Sequence, residues 1–373
     1  MKLGILITSI GNFGQKGFYN AQEIGLAKEL DKLVEKVVVY KAVPLSEKGG
    51  VSIIGDNAEL HLVPVKSRGI NGLWDCMVMD SALDALLFFS DTQLSVPSVY
   101  SWCRRNGIKM YPYIGAVESH STSRLKRFMI DLLFWRNVRV YKKCTCFVKT
   151  SAVKASLESL GVRQCFVAPV GLDTSLLHET WKDYPAGDLK KKYGYKEEDR
   201  VLLFVGRMTP EKEPFLMLDL FRKAYALDTR FRLLMVGQGE LLDDIKQGVS
   251  DCGNLVRFID KIPNKDIWEL YRIADAFVNL NKREIFGMAI LEAMYYGCKV
   301  VAWEAPGPDS IVENGVSGCL VSSEKEAVDR ICNGRIDSYN AHKRIVENFT
   351  WEQVAGKILK KIMDPTGSGE MSL

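Results

Sequence analysis

The sequence lacks the apolar segments that mark membrane and secreted proteins. None of its apolar runs is long enough to cross a bilayer. The apolar part of residues 1–7 is too short for a secretion signal, and a glycine-rich turn follows it at once. We therefore expect a cytoplasmic protein.

The sequence also has little excess charge and no clear metal-binding pattern. A net charge of +4 on 373 residues is mild and argues against a protein dedicated to nucleic acid. The nine cysteines are odd in number and scattered, as is typical of small buried apolar side chains. Cys144 and Cys146 have no second pair at zinc-site spacing, so we expect no metal centre there.

What the sequence does contain is an alternation of strand and helix patterns. In the first half, the patterns predict strands at residues 2–10, 37–41, 58–65, 85–89, 108–114, 145–149 and 165–169. They predict helices at residues 20–36, 74–83, 96–106, 123–140 and 151–160. This order is typical of a mostly parallel sheet with helices on both faces.

The alternation stops in a polar segment at residues 171–200, interpreted as a linker, and then begins again. Two such runs predict an α/β protein of two Rossmann-like domains that face each other across a cleft. We expect an N-terminal domain at residues 1–175 and a C-terminal domain at residues 176–349. Residues 350–373 hold a helical pattern that we expect to return to the first domain, followed by a tail.

The stretch from Glu284 to Glu292 carries the strongest chemical signal. It joins a strand pattern to an apolar helix that begins near Met288 and is closed by Gly297. The buried carboxylate of Glu292 needs hydrogen-bond donors, which a sugar ring with neighbouring hydroxyls would supply. Backbone N–H groups at residues 286–288 and the helix dipole would favour a phosphate. The alternative is a core helix with a capping glutamate.

Further polar residues follow the other predicted strands of the second half. Gly206, Arg207 and Lys212 come after the first strand, and two cations there would neutralise a diphosphate. Gly237 and Gly239 follow the second strand, and residues 260–263 follow the third. Taken alone, the first of these loops is also compatible with a solvated loop in which Glu211 pairs with Lys212 or Arg207. The coincidence of the loops at the carboxyl ends of one sheet favours a binding site.

With these motifs, the second half resembles the donor-binding domain of the group 1, or family 4, retaining glycosyltransferases, which have the GT-B fold. The resemblance covers residues 201–321. It rests on Glu284 and Glu292 as the family's paired glutamates with seven residues between them, and on Gly206, Arg207 and Lys212. Residues 291–297 and 312–318 continue it, and residues 169–173 resemble the family's junction between domains. The first half resembles the family in architecture alone.

The resemblance implies a role for each matching residue. Arg207 and Lys212 would bind the donor diphosphate and stabilise the charge on the leaving group. Glu292 would hold the ribose hydroxyls, and Glu284 the transferred sugar. The remaining donor-binding positions would be Gly206, Gly237, Phe286, Gly287, Met288, Lys261 and Ile262, with the base beside the last two. No metal or other cofactor is implied, and the sequence has no Asp-x-Asp motif that would hold a divalent ion.

Two features of the first half complete the predicted site. His120 follows a predicted strand and is interpreted as a catalytic residue that binds the transferred sugar, with a surface histidine as the alternative. Gly17, in the glycine-rich turn, would approach the diphosphate or acceptor, with a plain tight turn as the alternative. Residues 124–143 are basic and rich in large apolar side chains, which predicts contact with an anionic membrane or else a core helix with a solvated basic face.

The expected function is therefore a metal-independent retaining hexosyltransferase. It would move a hexose from a nucleotide-diphosphate sugar, expected to be a UDP-sugar, to a glycan or lipid-linked acceptor in surface polysaccharide assembly. We expect it in the cytoplasm or at the inner face of the cell membrane. The alternatives are a nucleotide-sugar epimerase of the same fold and a non-catalytic partner of another transferase. A dehydrogenase is disfavoured because no Gly-x-Gly-x-x-Gly follows the first strand of either half.

Overall fold

The computed structural model describes residues 1–10, 21–117 and 124–364, with residues 124–131 as backbone only. The chain divides into two compact units. Unit 1 consists of residues 1–171 together with the chain from Thr350 onward, and unit 2 of residues 172–349.

Unit 1 contains one large sheet with helices. Its strands are β1 (Lys2–Ile7), β2 (Lys36–Pro44), β3 (Gly50–Ile53), β4 (Ala58–Val65), β5 (Ser67–Arg68), β6 (Asn71–Gly72), β7 (Ala85–Phe89), β8 (Lys109–Ile114), β9 (Cys146–Val148) and β10 (Cys165–Val167). Its first four helices are α1 (Gln22–Asp31), α2 (Val96–Arg105), α3 (Arg124–Tyr141) and α4 (Ser151–Ser159). The main sheet has the order β10-β9-β8-β7-β1-β2-β4-β3, while β5 and β6 form a separate two-stranded sheet.

Unit 2 repeats the alternation around a second sheet. Its strands are β11 (Arg200–Val205), β12 (Phe231–Val236), β13 (Val256–Ile259), β14 (Ala274–Asn279), β15 (Val300–Trp303) and β16 (Cys319–Val321). Its helices are α5 (Ala186–Lys192), α6 (Pro214–Leu227), α7 (Leu242–Gly248), α8 (Ile267–Ile273), α9 (Met288–Tyr295), α10 (Pro306–Ile311), α11 (Glu324–Asn333) and α12 (Ser338–Asn348). The sheet order is β13-β12-β11-β14-β15-β16, and every pair is parallel.

The predicted parallel α/β architecture is confirmed, and its physical basis is burial of the strands on both faces. Leu6, Phe88 and Ile114 lie in the core of unit 1, and Leu202 and Val278 lie in that of unit 2. Runs of branched and aromatic residues form such strands because neither face meets water. Only β3, at the edge of the first sheet, pairs antiparallel among the main-sheet strands.

The last helix, α13 (Trp351–Met363), packs against α1 within unit 1. Its buried face includes Trp351, Val354 and Ile358. Thr350 caps it, because its hydroxyl accepts a hydrogen bond from the backbone N–H of Gln353. Trp351 needs the small Gly25 opposite, since a Cβ there would lie 2.3 Å from Trp351 Cδ1.

Several predicted elements are wrong in extent or kind. The helix predicted at residues 74–83 is a short 3-10 turn at Cys76–Val78. The carboxylates of Asp75 and Asp80 accept hydrogen bonds from the backbone N–H groups of Met77 and Ala82, and such local bonds compete with a helix. The helix predicted to end at residue 36 ends at Asp31, and Lys36 instead begins β2.

The predicted linker and the end of unit 2 contain helices that the patterns missed. Within residues 171–200, α5 forms and buries a single leucine, Leu189. In α11 and α12 only two residues each are buried, Ala327 with Ile331 and Ala341 with Ile345. Such narrow apolar stripes between polar residues are weak signals for a helix in a sequence.

Candidate functional site in the second unit

The loop before α9 brings Lys212 and Glu284 together. Lys212 ends a 3-10 turn after β11, and Glu284 lies between β14 and α9. Lys212 Nζ lies 2.6 Å from Glu284 Oε2, with the two side chains 24% and 13% exposed. Because β11 and β14 are neighbours in the sheet, the loops after their carboxyl ends meet. The predicted strand-end cluster is therefore present for this pair.

Two asparagines complete the surroundings of Glu284. The side-chain amides of Asn279 and Asn281 donate to the same oxygen, Glu284 Oε2, over 3.3 and 3.2 Å. Asn279 is the last residue of β14, and both asparagines are buried. A carboxylate with three donors on one oxygen is held in one orientation and keeps its second oxygen for further donors.

Glu292 is buried in α9 and receives a hydrogen bond from the protein itself. It is 6% exposed, and the hydroxyl of Tyr271 donates to its Oε2 over 3.0 Å. Tyr271 lies on α8, which packs against α9. The prediction that this carboxylate needs a donor is met at least in part by Tyr271, which sequence reasoning did not identify.

The start of α9 depends on a glycine with a left-handed backbone. Gly287 has φ +102°, and its carbonyl accepts hydrogen bonds from the N–H groups of Ile290 and Leu291. A side chain at this φ is strained, and a Cβ would lie 2.9 Å from Ile290 Cδ1. Phe286 is buried, and its carbonyl would meet a Cβ added to Gly307 at 2.3 Å. This packing fixes the backbone of residues 286–288 at the amino end of the helix.

Arg207 does not join this cluster. Its guanidinium pairs with Glu211 over 2.9 Å, and its side chain is 71% exposed. This is the solvated ion pair that the sequence left open as an alternative. Arg207 and Lys212 thus have different carboxylate partners although they lie in the same loop.

The glycines after β11 and β12 differ in their surroundings. Gly237 has φ +136°, and a Cβ there would lie 1.9 Å from the carbonyl oxygen of Gly206, so these two loops pack backbone against backbone. A Cβ on Gly206 itself would meet nothing closer than 3.8 Å. Gly237 is therefore explained by packing within the protein, whereas space remains open at Gly206.

Lys261 and Ile262 follow β13, at the edge of the second sheet. Since β13 and β11 are separated by β12, this loop begins about 10 Å from the one that carries Lys212. Beside it, the Asp260 carboxylate pairs with Lys246 over 3.1 Å. The structure places Lys261 and Ile262 at the same carboxyl edge as Lys212.

The predicted site residues of the first half are only partly visible. His120 and Gly17 lie outside the described residues. In the basic segment, Leu132 and Trp135 on α3 are 63% and 58% exposed, whereas Phe134 and Val138 are buried. Arg136 is bound to the protein, because its guanidinium donates to the carbonyl of Leu94 over 2.7 Å. The helix therefore has a packed face and an exposed face with two large apolar side chains.

Unit 1 also holds a half-buried lysine that no sequence pattern indicated. Lys149 follows β9 and donates to Gln22 Oε1 over 3.0 Å. Burial lowers its pKa below the ordinary value of lysine, and the charges of Asp91 and Glu23 oppose this shift. Because it follows β9 directly, Lys149 lies at the carboxyl edge of the first sheet.

Two absences concern the predicted partners. Among the described residues, no group of three or more His, Cys, Asp and Glu side chains is arranged to hold a metal ion. No helix in the described ranges is both long and apolar enough to cross a membrane.

Comparison with solved structures defines the fold class. Sucrose-phosphate synthase from Thermosynechococcus elongatus superposes with a TM-score of 0.74 at 16% identity, covering 98% of this chain and 100% of that one. HepE from Anabaena, solved in complex with UDP-glucose, gives a TM-score of 0.67 at 17% identity, covering 97% and 99%. The chain has the GT-B fold of glycosyltransferases, as expected.

Sequence comparison shows which family the second half is similar to. Residues 186–351 match the family model described as glycosyl transferases group 1, which is the family that this part of the sequence was found to resemble. A D-inositol 3-phosphate glycosyltransferase of Geodermatophilus obscurus is 31% identical over 216 residues, which is 53% of this chain and 46% of that protein. The lipopolysaccharide 1,2-N-acetylglucosaminetransferase of Salmonella typhimurium is 26% identical over 200 residues, or 48% and 51%. The matches thus span about half the length of these curated relatives.

Proposed function

We propose that the chain is a retaining hexosyltransferase. It moves a hexose from a nucleotide-diphosphate sugar, with UDP as the nucleotide, to a glycan or lipid-linked acceptor in surface polysaccharide assembly. The observation that carries this proposal is the contact of Lys212 with Glu284 at the carboxyl edge of a parallel sheet, where α/β folds bind ligands. The lipopolysaccharide transferase among the relatives and the UDP-glucose complex of HepE support the choice of substrate class.

In this proposal each part of the donor has a partner. Lys212 and Arg207 bind the diphosphate. To do so, the exposed Arg207 breaks its ion pair with Glu211. Glu284 accepts hydrogen bonds from the hydroxyls of the transferred sugar with its second oxygen. Glu292 binds the ribose hydroxyls, since a carboxylate has about four acceptor positions and can take several donors. The base lies by the backbone of residues 260–262.

The proposed reaction needs charge stabilisation more than proton transfer by a side chain. The bond from the sugar C1 to the phosphate oxygen breaks, and a bond from C1 to the acceptor oxygen forms on the same face. The leaving phosphate takes the acceptor proton, so the configuration at C1 is retained. Lys212 and Arg207 stabilise the negative charge that grows on the diphosphate, which is the task a metal would otherwise perform.

Replacement of Lys212 tests the proposal. We expect Lys212→Ala to lower turnover of UDP-glucose, measured as UDP release, by roughly 100-fold, because loss of one charge-stabilising contact typically costs about 3 kcal/mol. Lys223→Ala is the matched control, since it removes the lysine of an exposed Lys–Glu pair with Glu324 in the same unit. We expect this control, and addition of EDTA, to leave the rate unchanged.

Three results would contradict this proposal. Equal rates for Lys212→Ala and the wild type would remove Lys212 from the mechanism. Binding of the donor without any hydrolysis or transfer would favour the alternative of a non-catalytic partner, and conversion to an epimeric nucleotide sugar would favour an epimerase.

We also propose that residues 124–143 contact an anionic membrane. The exposed Leu132 and Trp135 support this, because large apolar side chains beside cations are typical of interfacial helices. We expect the protein to sediment with phosphatidylglycerol vesicles and the double variant Leu132→Ser, Trp135→Ser to stay in the supernatant. Equal sedimentation of both proteins would contradict membrane contact through this helix.

A further inference from the structure

Unit 1 contains a pocket of about 310 Å³ at the edge opposite the carboxyl ends of its strands. It lies where β8 begins and just before β9 and β10 begin, and its lining includes Lys109, Thr145 and Gln164. The helices α2 and α3 end here and add Arg104 and Lys143. Because strands of a parallel sheet run in one direction, this edge is distinct from the carboxyl edge at which α/β folds bind their substrates.

The polar lining consists almost entirely of hydrogen-bond donors. Arg104, Lys109 and Lys143 line the pocket, and within the described ranges none of the three forms an ion pair with a carboxylate. Other lysines of unit 1 do form ion pairs with carboxylates, as Lys41 does with Glu23 over 2.5 Å. Among the described side chains, no aspartate or glutamate belongs to the lining.

The neutral groups of the lining leave this positive charge uncompensated. Gln164 uses its side-chain oxygen for the hydroxyl of Thr145, at 2.7 Å, which leaves its amide N–H groups as donors. Cys103 and Cys144 also line the pocket, and burial raises the pKa of each thiol to about 12. Neither thiol is therefore an anion at neutral pH.

The carboxyl ends of two helices offset part of the positive charge of these cations, but not all of it. Arg104 lies in the last turn of α2, and Lys143 follows the end of α3. A helix carboxyl end carries about half a negative elementary charge, so two ends amount to about one. Three cations against about one negative charge leave the pocket positive by roughly two charges.

The rest of the wall is apolar. Tyr100, Ile108, Met110 and Tyr111 contribute to it. Tyr111 is fixed from behind, because its hydroxyl donates to the carbonyl of Ile362 on α13 over 3.3 Å. A small positive pocket with such a wall suits a ligand that carries a phosphate on an apolar group.

We propose that this pocket binds a phosphate monoester with an apolar substituent, at a site separate from the donor site. Arg104, Lys109 and Lys143 bind the phosphate oxygens, and the amide of Gln164 donates a further hydrogen bond. The apolar substituent packs on Tyr100 and Met110. The ligand is either a small phosphate ester or the head group of a lipid phosphate, which share this chemistry.

Calorimetric titration of the full chain at low ionic strength tests the proposal with defined probes. Phenyl phosphate represents the small ester, and dihexanoyl phosphatidic acid, soluble as a monomer, represents the lipid. Phenol lacks the charge, and inorganic phosphate lacks the apolar group. We expect one or both phosphate esters to bind, phenol not to bind and inorganic phosphate to bind more weakly than the esters. The ester that binds more tightly identifies the source.

Matched variants locate the binding. We expect the double variant Arg104→Ala, Lys109→Ala to raise the Kd of the phosphate ester at least about tenfold, because both lost contacts are charge-assisted. The control Lys48→Ala, Lys66→Ala removes the same charge from exposed positions of unit 1 outside the pocket lining and leaves the Kd unchanged. Lys212→Ala also leaves it unchanged, so this result does not depend on the proposed transferase reaction.

Three results would overturn the proposal. One is the absence of binding for both esters. Another is equal weakening by the two double variants, which would indicate general attraction to a basic surface. The third is equal binding of inorganic phosphate and phenyl phosphate, which would show that the apolar wall does not contribute to binding.

Discussion

At the scale of the residue, the buried Glu292 shows how a carboxylate is kept inside an apolar helix. Tyr271 donates to it, and the ring of Tyr271 is in turn enclosed by Phe277 and Tyr296. An unsatisfied buried acceptor costs about 1–3 kcal/mol, so the tyrosine hydroxyl stabilises the fold even without substrate.

Removal of this hydroxyl is a direct test. We expect Tyr271→Phe to lower the free energy of unfolding by about 1–3 kcal/mol, measured by urea denaturation, because Glu292 loses a donor in a buried site. Tyr339→Phe is the control, since Tyr339 is 63% exposed. Equal stability of Tyr271→Phe and the wild type would mean that Glu292 does not depend on this bond.

Some residues of the candidate site could be predicted from the sequence, and others could not. Glu284 and Lys212 were predicted from their positions after strands, and the structure brings them into contact. Asn279 ends the strand and Asn281 follows it, and their spacing before Glu284 was a usable signal. Tyr271 was not predictable in this way, because its contact with Glu292 depends on how α8 packs on α9.

At the scale of the element, the junction of β11 and β12 with their loops is the most constrained part of the candidate site. Gly237 has a backbone conformation that favours glycine, and it packs against the backbone of Gly206. Backbone atoms cannot move aside as a flexible side chain can. Any side chain at position 237 must therefore displace the loop that leads to Lys212.

Gly237→Ala tests this constraint. We expect it to destabilise unit 2 by about 1–3 kcal/mol through strain, and to lower donor turnover because the loop shifts. Gly187→Ala is the matched control: Gly187 lies in α5, has no neighbour within 4 Å of an added Cβ, and gains helix propensity. A melting temperature of Gly237→Ala equal to that of the wild type would show that the loop adapts without cost.

Strands with continuous apolar runs were predictable from the sequence. Elements whose conformation depends on local polar hydrogen bonds were less so. The strands β4 and β7 have clear apolar runs, and both were predicted at their observed positions. The 3-10 turn at Cys76–Val78 has a helix-like apolar spacing, but the local bonds of Asp75 and Asp80 decide its conformation. Short-range polar bonds of this kind are not visible in hydrophobic periodicity.

At the scale of the whole molecule, the chain consists of two α/β units, and its last helix belongs to the first of them. The return of α13 was predicted from its apolar stripe. Its exact partner, α1 with Gly25 facing Trp351, follows from side-chain shapes that the stripe does not specify. The repeated alternation was thus sufficient for the architecture, whereas the residue contacts required the structure.

Binding of the nucleotide sugar by unit 2 is the central claim, and thermal denaturation with a panel of UDP-, GDP- and ADP-sugars tests it most directly. A ligand that binds only the folded protein stabilises it by about 2.7 kcal/mol at one hundred times its Kd. We expect a UDP-sugar to raise the Tm of the wild type and to have a much smaller effect on Lys212→Ala. No rise with any sugar of the panel, or an equal rise in Lys212→Ala, would contradict the claim.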